Sequence, residues 1–393
     1  MEQEELFLLD VLKSFVREEK LNFDRELDWP RLLRLAMIHA VDGILGYMAM
    51  QSPCPQTEPL LPLLKKKCFA SVASNVQRTA LADELLTKLD DFGIDHLLFK
   101  GYVVRRCFPM PELRMFGDID LLIRPEDRAR CHAMMQELGF EVKTDWEPVY
   151  SYCRGQEIYE LHTELLETDI SEKLDCRSYF RSAWAYAVQT GEHTWELKPE
   201  YHFLYLLTHI AKHIHGAGAG IRMYLDLAAF IRHGREETDW AFVAGALDQL
   251  GLRTFADYAL TLTERYLGTE SPIPLQPLSP ESFEAFAEFT MAGGIFGTFG
   301  RDSGLLTLKN APDNSRPRFL TVLRRLFPPA SQLKPRYTYL QRRPWLLPAA
   351  WVHRFFRTRK TWSRHAQEAK SILNTDGFSV EKLKQVYRDL GLG

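Results

Sequence analysis

Apolar residues recur at helical spacing through the first 90 positions. Leu8, Val11, Leu12 and Phe15 follow the three-and-four pattern of a helix with one buried face. Trp29-Pro30 opens a second helix, in which Leu32, Leu33, Leu35 and Ala36 supply the apolar positions. Pro53, Pro55, Pro59 and Pro62 mark a loop, and from about Leu64 to Phe92 a long helix carries Val72, Val76, Leu81, Leu85 and Leu89. The period then changes. Leu97-Leu98-Phe99 and Leu121-Leu122-Ile123 are short apolar runs, each bounded by a glycine or a turn, and read as strands buried on both faces. Pro125-Glu126-Asp127 starts a helix that stops at Gly139, and Phe140-Glu141-Val142 forms a further strand. From Pro199 the pattern is helical again, through YHFLYLLTHIAKHIHG, IRMYLDLAAFI and residues 240–290, to an amphipathic helix from Ser379 to Leu390. A small α/β unit thus sits in a mostly helical chain.

The chemistry concentrates in that unit. Side chains alternate along a strand, so Asp118 and Asp120 point the same way while Ile119 enters the core. Two carboxylates held together repel, and a divalent cation with oxygen ligands, Mg²⁺ or Mn²⁺, relieves the repulsion. Gly101 follows a strand and precedes a helix, a place where backbone N–H groups approach a phosphate. Lys100 and Arg114 lie on either side of it and suit triphosphate oxygens. This is a phosphoryl- or nucleotidyl-transfer arrangement that lacks a third carboxylate. If residues 157–164 form a strand, Glu160 and His162 share one side; Glu157 and Glu164 are competing acids, and a slip in register would favour Glu157.

LLFKGYVVRRCFP followed by LRMFGDIDLLI resembles the nucleotidyltransferase superfamily whose best-known member is DNA polymerase beta. Within it the closest resemblance is to a bacterial nucleotidyltransferase family with a K-G … R-x-x-x-D-I-D-L-L signature. That resemblance implies an α+β fold in which a small mixed-sheet nucleotidyltransferase core, residues 91–198, is embedded in a mostly helical protein. Flanking it are an N-terminal helical region (1–90), a helical second domain (199–310) and a basic, aromatic C-terminal region (311–393). It also implies an acid two residues before a histidine in a strand beside the D-x-D strand, which selects Glu160. Asp118, Asp120 and Glu160 would then be the catalytic, Mg²⁺-holding trio, with Lys100, Gly101, Arg114 and His162 on the nucleotide. Where the superfamily has Gly-Gly or Gly-Ser, this chain has Lys100-Gly101-Tyr102.

In the 199–310 region His202, His209 and His213 lie along one helical stripe, without the H-E-x-x-H of a zinc site. They are either a packed or hydrogen-bonded set or a source of nucleotide contacts. Arg222 and Asp226 are four apart on the next helix, which predicts an intrahelical ion pair; the resemblance makes His209, His213, Arg222 and Asp226 nucleotide-binding candidates. Gly216, Gly218 and Gly220 lie between helices and lack the preceding strand of a dinucleotide fingerprint. Glycines at 293, 294, 297 and 300 predict a flexible turn near the cleft.

Length allows two or three domains, and a net charge of −3 implies no partner by itself. Its distribution does: Ser315 to Arg364 holds thirteen Lys or Arg and no acid, with Trp345, Leu346, Leu347 and Trp351 interleaved. Such a stretch suits a polyanion such as RNA, an anionic membrane surface, or the acidic remainder of the chain itself. The cysteines at 54, 68, 107, 131, 153 and 176 show no metal spacing and read as reduced thiols of a cytoplasmic protein without an export signal or membrane span. The expected activity is Mg-dependent transfer of an NMP group from an NTP to an acceptor hydroxyl on a protein, tRNA, sugar or small molecule. The alternative is a catalytically inactive nucleotide-binding or scaffold protein, RNA- or membrane-associated.

Overall fold

The computed structural model describes residues 1–171, 174–216, 218–294, 327–333, 337, 339–357 and 377–392. Two compact units divide the chain, Met1–Phe299 with Asp389–Gly393, and Gly300–Arg388. The fold is α+β, a single mixed sheet in a mostly helical protein.

In the first unit the chain begins with α1 (Gln3–Arg17), α2 (Trp29–Ile38), α3 (Asp42–Gln51) and the long α4 (Leu61–Asp91). Asp28 caps α2 by accepting a hydrogen bond from the Arg31 amide, and Pro30 sits where a first turn tolerates it. The sheet follows, with β1 (His96–Leu98), β2 (Ile119–Ile123), β3 (Glu141–Trp146), β4 (Val149–Arg154), β5 (Glu157–His162), β6 (Ala187–Gln189) and β7 (Thr194–Leu197). Between strands lie α5 (Gly101–Val104), α6 (Arg128–Glu137) and α7 (Cys176–Phe180). After the sheet come α8 (Pro199–Gly216), α9 (Ile221–Gly234), α10 (Trp240–Gln249), α11 (Arg253–Leu267) and α12 (Pro280–Ala292).

Strand order is β3-β4-β5-β2-β1-β7-β6. β2–β5 and β1–β7 are parallel and the other pairs antiparallel. β4, β6 and β7 were not expected as separate strands. β6, at the sheet edge, and β7 beside it are short and mostly half-buried or exposed, so they lack the apolar run that marks β1 and β2.

One face of the sheet sends Leu98, Ile119, Leu121, Ile123, Tyr159 and Leu161 against Ala82, Leu85 and Leu89 of α4 and Cys131, Met134 and Met135 of α6. Burying each Leu, Ile or Met there contributes about 1.5–3 kcal/mol. The opposite face carries Asp120, Glu160 and His162, and on that side Phe99 meets Tyr205 of α8 edge to face, 5.4 Å between ring centroids. The sheet therefore separates an apolar layer from a polar one.

The α4 stripe differs from its sequence expectation. Leu64, Cys68, Ser71, Asn75, Ala82, Leu85 and Leu89 are buried, whereas Val76 is 53 % exposed. Asn75 stands where the stripe calls for an apolar residue, and its side-chain amide donates to the Glu112 carbonyl at 2.6 Å.

The second unit has a small core of Leu333, Tyr337, Leu340 and Ala350. Trp351 packs against it and donates to the Pro328 carbonyl at 2.9 Å, while Trp345 is 73 % exposed. Gly297 and Gly300, and 315–326, 334–336, 338 and 358–364 of the basic stretch, lie outside the described residues. Among the described residues no helix is long and apolar enough to cross a membrane.

Candidate active site

Register decides which acids meet. In the parallel β2–β5 pair Asp120 lies opposite Glu160 and Leu122 opposite His162, so the two carboxylates project from one face. Asp118 stands one residue before β2, on the side of Asp120, and opens into the cavity. The competing acids are occupied elsewhere: Glu157 pairs with Arg78 at 2.9 Å, and Glu164 with Arg177 at 2.5 Å.

Asp120 is buried, with 4 % exposure. Lys100 Nζ reaches its Oδ1 at 2.7 Å, and His162 Nε2 reaches the same oxygen at 3.0 Å. Burial alone would raise the Asp120 pKa; the Lys100 charge and the His162 hydrogen bond outweigh it and hold the carboxyl well below the usual range. Burial likewise works against the Lys100 ammonium, and the Asp120 charge overcomes it and drives the lysine upward. Asp118 behaves oppositely. The neighbouring Asp120 charge, then desolvation within the cavity, push it up to about 6. Asp120, Glu160 and His162 offer ligand atoms within 4.8 Å of one another.

Lys100 occupies a backbone conformation that glycine adopts freely, φ 56° and ψ −136°. A lysine there costs on the order of 1–3 kcal/mol, and the ion pair with buried Asp120 holds it. Gly101 lines the cavity and also serves packing. A Cβ at 101 would overlap Arg114 Nη1 and lie 2.8 Å from Phe116 Cβ, so the missing side chain makes room for a guanidinium.

That guanidinium is committed. Arg114 Nε and Nη2 donate to Asp226 Oδ1 and Oδ2 at 3.0 and 2.6 Å, and both side chains are almost fully buried. The intrahelical Arg222–Asp226 ion pair is therefore corrected: Asp226 takes its partner from the loop before β2. Arg222 Nη1 instead donates to the Met115 carbonyl at 2.5 Å, and its buried Nε has no hydrogen-bond partner among the described residues. Burial, then the Arg114 charge, lower Arg222 to about 9.

On α8, His209 and His213 bond to each other, Nε2 to Nε2, at 3.1 Å, and His209 stacks on Tyr205. Burial lowers both, His213 to about 4. His202 is buried against Phe230, away from this cluster.

A cavity of about 560 Å³ lies over the polar face of the sheet and against α8 and α9. Lys100, Gly101, Arg114, Asp118, Asp120, Glu160, His209, His213, Arg222 and Asp226 all line it. His162 does not. It is 1 % exposed, set behind Asp120 and edge-on to Phe99, so it orients a carboxylate from beneath and does not face the cavity. Sequence reasoning overlooked Glu167 and Lys212, which also line the cavity and approach each other at 3.6 Å. Lys212 directly precedes His213 in a helix already singled out, and that adjacency was the available signal.

Two carboxylates in register on parallel strands, with a third acid beside them, face a half-open cavity whose lining also carries Lys100, Lys212 and Arg222. The chain belongs to the family described as "Uncharacterised nucleotidyltransferase", whose profile matches residues 25–268. It is thus a transferase-family protein with a general nucleotidyl-transfer function. No curated protein and no solved structure matches the chain.

Proposed function

We propose that the protein transfers a nucleoside monophosphate from an NTP to an acceptor hydroxyl, with release of pyrophosphate. The observation that carries this reading is the Asp120–Glu160 register, which sets two carboxylates beside Asp118 at the floor of one cavity. The donor set fits a hard divalent cation such as Mg²⁺ or Mn²⁺. It is made of carboxylate oxygens, Asp120 Oδ2 bears no hydrogen bond among the described residues, and Asp118 is raised by negative charge that nothing beside it fully balances. Asp118, Asp120 and Glu160 would hold the ion, which supplies Lewis-acid polarisation of phosphate oxygens when bound.

The chain's own residues account for the rest. Arg222, with its unpartnered Nε, and Lys212 line the α8–α9 wall and suit the triphosphate, whose negative charge would also relieve the crowding of Arg222 by Arg114. His162 and Lys100 fix the Asp120 carboxylate. Glu160 is one-quarter exposed, faces the cavity and accepts the proton as the acceptor oxygen bonds to the α-phosphorus. The bond from that phosphorus to the bridging oxygen breaks, and pyrophosphate carries the electron pair away.

The Lys100–Asp120 ion pair favours a second reading, a nucleotide-binding protein without turnover, because it satisfies a carboxylate that would otherwise serve the ion. Incubation with cell extract and NTPs labelled at the α- or γ-phosphate separates the two. Transfer of α-label alone to an acceptor supports nucleotidyl transfer. Retention of both labels on bound, unreacted nucleotide supports the binding reading.

A further inference from the structure

Three carboxylates face the cavity, and a fixed cation already stands among them. Lys100 Nζ and His162 Nε2 both approach Asp120 Oδ1, leaving only Oδ2 for a metal ion. An ion placed on Oδ1 would have to expel the ammonium or sit against it. The ammonium has little freedom to leave: its side chain is 18 % exposed, it lies 5.3 Å from the Phe99 ring centroid, and its backbone is held in the glycine-favoured region. Charge points the same way. Before nucleotide binds, Asp118, Asp120 and Glu160, offset by Lys100, leave two negative charges among these four side chains, which one divalent ion neutralises.

Resting on the metal-dependent reading above, we infer that the centre holds one divalent cation, on Asp118, Asp120 Oδ2 and Glu160, and that the Lys100 ammonium takes the place of a second ion. Lys100 is then a positioning residue that sets metal stoichiometry. The acids alone would offer the two-ion arrangement, since all three line one cavity; the lysine two residues past β1 forecloses it.

Titration of the full-length protein with Mn²⁺, read by the electron paramagnetic resonance of the free ion, tests this without any assay of turnover. The Asp118→Asn/Glu160→Gln chain serves as the blank for ions held elsewhere. The wild type is expected to bind one Mn²⁺ above the blank and Lys100→Met two. Lys100→Gly, which suits the backbone at this position, is a second variant and is also expected to bind two. Two ions in the wild type, or one ion in both variants, overturns the inference while leaving a metal-dependent centre intact. No ion above the blank in any of these proteins removes the metal-dependent reading, and the inference with it.

Discussion

Replacing Asp226 by Asn tests how the cavity wall is joined to the sheet. Arg114 spends both Nε and Nη2 on the two Asp226 oxygens, with side-chain exposures of 7 % and 9 %. Removing one partner of a buried pair costs about 3–5 kcal/mol, because the remaining charge loses both water and counter-charge. The asparagine oxygen still accepts one hydrogen bond, so the loss should fall near the low end, about 3 kcal/mol. An exposed pair provides the contrast. Arg235–Glu270, at 43 % and 80 % side-chain exposure, should lose less than about 1 kcal/mol on Arg235→Ala. Urea unfolding of both variants gives the two numbers. An Arg114→Met/Asp226→Leu double variant removes both charges and should recover most of the single-variant loss. A cost for Asp226→Asn below about 1 kcal/mol, or a double variant that loses the sum of the singles, would refute the reasoning.

Other consequences follow from single contacts. Gly101→Ala should cost about 1–3 kcal/mol by displacing Arg114 or Phe116, measured by thermal unfolding. Val76→Asp, at an exposed position on α4, should shift stability by less than about 0.5 kcal/mol, whereas Asn75→Ala, which orphans the Glu112 carbonyl, should cost about 1–3 kcal/mol. Acid should destabilise the fold through its buried histidines. Burial lowers His39 to about 4 against an ordinary 6.5, so the unfolded chain takes up the proton first. The native state keeps its full advantage above about pH 6.5 and loses it as pH falls toward about 4, roughly 2 kcal/mol between about pH 7.5 and pH 5. Urea midpoints of the wild type and His39→Gln at those two pH values check the sign and size.

The candidate site was legible in the sequence where chemistry and strand period coincide. Asp118 and Asp120 stand two apart at the start of an apolar strand, and Glu160 stands two before His162; alternation alone puts each pair on one face. What alternation does not provide is which strand lies beside which. The parallel pairing that sets Asp120 against Glu160 and sends Glu157 to Arg78 is a property of the folded sheet. Long-range partners were illegible for the same reason. Asp226 has an arginine four residues away and a better one 112 residues away, and only packing decides between them. Periodicity misplaced the buried face of α4 because Ser71 and Asn75, both polar, lie inside. It also left no trace of Lys100 as the partner of Asp120, since a strained backbone at a lysine is not written in its residue type.

Pyrophosphate release by Glu160→Gln and Glu157→Gln, each with Mg²⁺ and NTP, tests the central claim most directly, because the two acids compete for one role and register alone separates them. The account predicts that Glu160→Gln falls by about a hundredfold or more while Glu157→Gln stays near the wild type. Equal losses in the two variants, or a loss confined to Glu157→Gln, would contradict it.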